Sequence, residues 1–384
     1  MSWPFVAIGD VAEILSGNAW KSSQFTNESE GRLPIIRIQN ISDIATDFIY
    51  WDGVVLEKYI IKDGDLLLSL SGNVKLCEWS FGNALLNQRV VKLAPAACID
   101  KRYFYWALHR VVAEIEAMAR HAVIANVSVT DLREFQIPLP PLPEQKRIAA
   151  ILDKADTIRR KRQQAIQLAD DFLRAVFLDM FGDPVTNPKG FPVGTIRDLV
   201  DTANYGSSAK ASETEGEFPM LRMGNITYSG AIDFSGLKYV DLSKKDQPKY
   251  LVEKGDLLFN RTNSKELVGK TAVYDRDDVA AIAGYLIRVR MNEKGNSYYV
   301  SGYLNSTHGK STLQSMCKSI VGMANINAQE MQNIQILLPP IEIQNKYAAI
   351  FQTTKQRLRS QSQSEGNLAD LFSAISQKAF RGEC

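Results

Sequence analysis

Side chains that could do catalysis are sparse in this sequence and badly spaced for it. Four cysteines (Cys77, Cys98, Cys317, Cys384) and three histidines (His109, His121, His308) are scattered without a C-x-x-C pair. Neither a metal cluster nor a disulfide framework is expected from them. Gly309-Lys310-Ser311 resembles the end of a phosphate-binding loop, but Leu304 and Asn305 stand where the earlier glycine should be, so no nucleotide site is expected there. Asp63-Gly64-Asp65, echoed by Gly255-Asp256, offers carboxylates for a nuclease metal or, as the expected reading, a turn before a buried strand. The chain is therefore expected to have no catalytic residue and no metal.

The composition allows a different kind of work. With 384 residues, 45% hydrophobic and 23% charged, the chain has room for two folded domains of about 150 residues plus connecting elements. The start, MSWPFVAIGDVAEI, lacks a basic region followed by an apolar core, and no stretch reaches the roughly 18 apolar residues of a membrane span; a cytoplasmic location is expected. A net charge of +2 does not by itself announce a nucleic-acid binder, so any such affinity must come from local patches or partners.

The elements that must position any site occur twice. LPIIRIQNIS (Leu33 to Ser42) returns as FPMLRMGNIT (Phe218 to Thr227), and KDGDLLLS (Lys62 to Ser69) as EKGDLLFN (Glu253 to Asn260). From Asn126 onward the copies keep one register: Asn126 meets Asn325, Pro140-Pro141 meets Pro339-Pro340, Gln145 meets Gln344 and Phe181 meets Phe380. Such a repeat decides the architecture before any single motif does. The first part of each copy reads as short strands and turns, with helical stretches at Lys101 to Ala119 and around Ser297 to Cys317. After IPLPPLPEQ comes a gap-free run with Ile148, Ile151, Leu152, Ala155, Ile158, Ala165, Ala169, Phe172 and Val176 at helical spacing, unbroken until Gly182 and Pro184. It predicts one amphipathic helix of nearly forty residues, roughly 55 Å long. Its partner runs from about Glu342 to Phe380 with Tyr347, Ile350, Phe351, Leu358, Leu368, Leu371, Phe372 and Ile375. The expected fold is α+β: mostly-β domains at 1–140 and 185–339, a proline-rich turn and long helix at 141–184, and a second long helix at 340–384. The helices should pair antiparallel as a two-stranded coiled coil in a pseudo-two-fold tandem.

IPLPPLPEQKRIAAILDKAD resembles the start of the central helical region in specificity subunits of type I restriction-modification enzymes, and ILLPPIEIQNKYAAIF looks like its degenerate second copy, with Ile343 where Glu144 stands. FGDP (Phe181 to Pro184) and FRGE (Phe380 to Glu383) fit the same pattern. The resemblance spans the whole chain. It implies that each variable domain is a target recognition domain reading one half of a split asymmetric double-stranded DNA site, that the helices set the spacing, and that two methyltransferase subunits and the restriction/translocase subunits dock on this chain. S-adenosylmethionine, ATP and Mg2+ are then expected in those partners and no cofactor here. A methyltransferase of this kind would carry N-P-P-[YF]; the nearest string is Asn187-Pro188-Lys189-Gly190. The alternative is a non-catalytic scaffold of the same shape without sequence-specific DNA binding.

On that reading, DNA contacts are sought in polar, glycine-flanked segments between strands. Lys21 and Ser22 in the first domain match the loop carrying Lys210 in the second, and these lysines suit phosphates. Ser71, Asn73 and Lys75 match the segment with Arg261, Asn263, Ser264 and Lys265, where amide, guanidinium and hydroxyl groups could reach base edges. Gln88 and Arg89 stand opposite Gly284 and Tyr285, a position that varies between copies. Arg37, Asn40, Arg222 and Asn225 are also candidates, although identical residues in domains with different targets suit backbone contacts or structural turns better, and Asn126 and Asn325 share that caution. Arg159-Arg160-Lys161-Arg162 suits a solvated or partner-facing helix surface. Pro140, Pro141, Glu144 and Gln145, with Pro339, Pro340 and Gln344, offer two similar surfaces for two copies of one partner.

Overall fold

The computed structural model describes residues 3–42, 47–71, 74–119, 127–320, 323–363 and 378. The chain divides into two compact units, the first containing Met1–Arg162 and the second Gln163–Gly366.

In unit one, Leu66–Ser69 is the sheet interior, and the alternation of its side chains explains the layering. Leu66 and Leu68 enter a core with Tyr103, Phe104, Leu108 and Ile148, while Leu67 enters a second core with Trp79, Ile36 and Leu86. A strand buried on both faces reads as an unbroken apolar run, as Leu-Leu-Leu does here. The antiparallel sheet runs in the order Ala12–Ser16, Val90–Pro95, Leu66–Ser69, Leu76–Glu78. Helix Lys101–Ala119 lies over the first core. A five-stranded sheet, Phe25–Thr26, Ile49–Trp51, Pro34–Ile36, Ala84–Leu86, Ile60–Ile61, contributes to the other, with one parallel pair at its centre.

Unit two repeats the plan. Val200–Tyr205, Leu286–Met291, Leu257–Asn260 and Thr271–Val273 form its antiparallel sheet, and Leu257 and Phe259 face one core while Leu258 faces the other. Lys238–Val240, Phe218–Leu221, Ala280–Ile282 and Leu251–Val252 form the second sheet. Thr262–Asn263, Met323–Asn325 and Lys318–Ile320 form a three-stranded sheet of unit two. The expected single helix near Ser297 to Cys317 is two, Ser297–Asn305 and Thr307–Met316. Ser306 breaks it: its hydroxyl accepts from Gly309 N–H at 3.1 Å and caps the second helix, the competition by which serine favours helix starts over interiors.

The turn before each central strand settles the aspartate question. Gly64 (φ 89°) and Gly255 (φ 98°) take left-handed conformations that suit glycine. Asp65 accepts from Lys62 N–H (2.8 Å) and pairs with Lys92 (2.8 Å), as Asp256 does with Glu253 N–H (2.9 Å) and Arg290 (2.9 Å). These carboxylates hold a turn. Among the described residues no three His, Cys, Asp or Glu side chains gather as a metal set, and no helix is long and apolar enough to cross a membrane.

The long helix is Leu142–Phe181, 40 residues. Ile148, Ala149 and Leu152 pack on unit one; Leu173, Phe177 and Phe181 are buried in unit two, where Phe177 and Phe181 meet Tyr299 and Tyr347. Phe172, expected on the packed stripe, is 50% exposed; the apolar row that faces the domain is displaced by one residue. The second helix is Ile341–Gln363 over the described residues, and Leu368, Leu371, Phe372, Ile375 and Phe380 lie outside them. Within unit two the helices run antiparallel: Asp170 pairs with Lys355 at 2.6 Å, whereas Phe177, further along the first, meets Tyr347, earlier on the second.

Candidate nucleic-acid interface

Several candidate residues converge on one edge of each unit because four chain segments are stitched together there by main-chain hydrogen bonds. In unit one, Asn18 N–H donates to Leu86 O (3.0 Å), Gln88 N–H to Asn18 O (3.0 Å), Leu70 N–H to Arg89 O (3.1 Å) and Val127 N–H to Leu70 O (3.1 Å). In unit two, Ser207 N–H donates to Ile282 O (2.7 Å), Gly284 N–H to Ser207 O (2.8 Å), Arg261 N–H to Tyr285 O (3.0 Å) and Ile326 N–H to Arg261 O (2.9 Å). The repeat thus places Leu70 where Arg261 stands and Arg89 where Tyr285 stands. Gly17 and Gly206 permit the approach. A Cβ on either would sit 2.1 Å from Asn87 O or 2.3 Å from Ala283 O, inside any contact distance, so backbone closeness is the reason for glycine.

This edge carries polar and cationic groups of the kind that meet DNA. Lys21, Ser22, Gln88 and Arg89 are exposed in unit one, and Lys210, Lys265 and Tyr285 in unit two. Ser71 is buried and Lys75 half-buried, with Lys75 N–H donating to the Ser69 hydroxyl at 2.8 Å; Asn73 and Asn126 lie outside the described residues. Asn263 and Ser264 shape the turn after the strand, Asn263 Oδ1 accepting from Ser264 N–H at 2.9 Å. Asn325 pairs with Thr262 in the three-stranded sheet. Arg261 stacks over Tyr205, 4.6 Å from its ring centroid, and the Tyr205 hydroxyl accepts from Ala328 N–H at 3.0 Å. Sequence reasoning missed Tyr205, since nothing in its spacing connects it with a residue 56 positions later.

Other candidates are placed elsewhere. Asn40 and Asn225 are buried, each accepting from the N–H of Arg37 or Arg222 (3.0 and 2.9 Å) to cap a single turn. Each arginine gives a guanidinium N–H to a carbonyl of its own domain, Asp47 (2.8 Å) or Gly236 (2.9 Å). This quartet builds a turn, and burial removes the asparagines from the candidate surface. Gly309-Lys310-Ser311 lies inside helix Thr307–Met316, and Lys310 donates to Tyr228 O (3.0 Å) and lies over the Tyr228 ring; burial lowers its pKa. Arg159 and Arg160 both pair with Asp156 at 2.7 Å.

At the helix starts, Pro141 and Pro340 are exposed and Pro140 and Pro339 buried, while Glu144 pairs with Arg147 at 2.9 Å. Gln145 and Gln344 are 1% and 0% exposed. Gln145 donates to Pro140 O (2.8 Å) and Cys98 O (3.2 Å) and accepts from Asp100 N–H (2.6 Å). Gln344 donates to Pro339 O (2.8 Å) and Lys294 O (2.9 Å) and accepts from Asn296 N–H (2.9 Å). The amides expected to face a partner instead lock each helix start to its own domain. Tyr103 and Tyr299 do the same, their hydroxyls donating to Pro138 O and Leu337 O at 2.7 Å.

The family profile described as type I restriction modification DNA specificity domain matches residues 2–168 and 188–365. The chain is 25% identical to the type I restriction enzyme EcoBI specificity subunit of Escherichia coli, the alignment covering 100% of this chain and 86% of that protein. It is 24% identical to the EcoKI specificity subunit of Escherichia coli K12, covering 99% and 89%. The fold matches a crystal structure of a type I restriction-modification system S subunit from M. genitalium, with TM-score 0.63, 16% identity and coverage of 99% and 96%. Two profile matches, one on each copy of a repeated domain followed by a long helix, have one consequence: the chain belongs to the type I restriction-modification DNA specificity family.

Proposed function

We propose that this chain is the sequence-reading subunit of a type I restriction-modification complex, in which each domain reads one half of a bipartite asymmetric DNA site. The observation that carries the reading is the repeated loop edge. The same backbone clamp recurs in both units, but its side chains differ: Leu70 and Arg89 in one, Arg261 and Tyr285 in the other. A shared scaffold with different side chains, of which Arg89 and Tyr285 are exposed and Leu70 and Arg261 half-buried, suits two related readers of different base sequences. The long helix, about 60 Å at 1.5 Å per residue, suits a ruler between half-sites. Catalysis belongs to other subunits: two methyltransferase subunits, binding S-adenosylmethionine, dock along the helices, and restriction/translocase subunits use ATP and Mg2+. The exposed apolar side chains Leu168 and Phe172 on the long helix support such docking. The test is electrophoretic mobility of duplex DNA with the assembled complex: a bipartite duplex is retained in excess of unrelated competitor, and equal retention of all sequences would refute the reading.

A further inference from the structure

Most arginines in the described residues have an assigned partner, an acid or a carbonyl oxygen. Arg261 does not. Its Nε is buried without a hydrogen-bond acceptor among the described residues. It is nevertheless held in place. Its N–H donates to Tyr285 O, its carbonyl accepts from Ile326 N–H, and its guanidinium lies over Tyr205, whose hydroxyl is fixed by Ala328 N–H. A cation held by its backbone and by an aromatic ring, yet lacking an acceptor, has little side-chain freedom left to lose when an acceptor arrives.

Resting on the DNA-reading role above, we propose that Arg261 is the specificity-determining residue of the second domain, that its ligand is the N7/O6 edge of a guanine in the major groove, and that Tyr205 is its positioning residue. The planar fork of the guanidinium fits this two-acceptor edge, whereas an adenine presents an acceptor beside a donor there. The repeat supports a role in discrimination over common backbone binding. Leu70 occupies the equivalent place in the first domain, and Ser16 precedes Gly17 where Tyr205 precedes Gly206. The stacked arginine therefore belongs to one half of the molecule, as a group reading one of two unlike half-sites must.

The test uses the full chain assembled with its methyltransferase subunits. Methylated motifs are mapped by single-molecule sequencing for the wild type, Arg261→Ala, Arg261→Lys and Tyr205→Leu. The inference expects a guanine in one half-site at which Arg261→Ala relaxes the motif while the other half is unchanged, with Tyr205→Leu relaxing the same position less. Replacing that guanine by 7-deazaguanine should then slow methylation about tenfold for the wild type and add no further loss for Arg261→Ala. If Arg261→Ala does not assemble, Arg261→Lys, which keeps the charge and loses the fork, gives the same comparison. A wild-type motif unchanged in all these variants, or equal 7-deazaguanine losses in wild type and variant, overturns the inference alone; a wild-type complex that yields no motif overturns the DNA-reading role beneath it.

Discussion

The side-chain amides of Gln145 and Gln344 each tie a helix start to its own domain through three hydrogen bonds to main-chain groups. Their recurrence was visible in the sequence, but recurrence does not distinguish a residue that faces a partner from one that faces inward; only the positions of the Cys98 and Lys294 carbonyls do. Gln344→Ala should leave a buried N–H and two carbonyls unpaired and cost about 1–3 kcal/mol, read as a lowered denaturation midpoint; an unchanged midpoint would show that the lock is not needed. His109 offers a second test. Burial lowers its pKa from 6.5 to about 4, with Asp156 opposing and Arg159, Arg160 and Arg102 reinforcing. Between these values the unfolded chain binds a proton that the folded chain does not, so stability that is full above 6.5 is lost as pH falls toward 4. The melting temperature of His109→Phe should accordingly fall less than that of the wild type over this range. Parallel curves would exclude the imidazole as the cause.

At the scale of elements, the long helix and Lys101–Ala119 were legible because periodicity and proline punctuation act locally. The break at Ser306 was not, since it depends on whether a hydroxyl caps a helix or points outward. The buried row of the long helix was likewise uncertain by one position, because at 3.6 residues per turn neighbouring rows are both apolar and only the partner domain selects between them. Phe177→Ala should cost about 3–5 kcal/mol through the cavity it leaves beside Tyr299 and Tyr347, while Phe172→Ala should leave the isolated chain within about 0.5 kcal/mol of wild type. Chemical denaturation of both variants checks the assignment, and a reversed order would contradict it. If the helix is a ruler, adding four residues after Gln163 lengthens it by about 6 Å and should widen the spacer of the methylated motif by about one to two base pairs, with both half-sites unchanged.

For the whole molecule, the repeat carried most of what the sequence could say. It fixed two domains of one plan, each followed by a helix, and the matching clamps at Leu70–Arg89 and Arg261–Tyr285 realise it atom by atom. The candidate surface was only partly legible. Loops separated in sequence, such as 206–210 and 283–286, meet through pairing that no local pattern announces, and Tyr205 entered only with that pairing. With a net charge of +2, attraction to phosphates must be local, and the isolated chain should bind DNA weakly at physiological salt. Two independent readers on one chain should be exchangeable singly, and the decisive experiment is the methylome of the complex after residues 1–140 are exchanged for the first domain of another family member. A motif with one half replaced and the other retained is the predicted result; a change in both halves, or none in either, would contradict it.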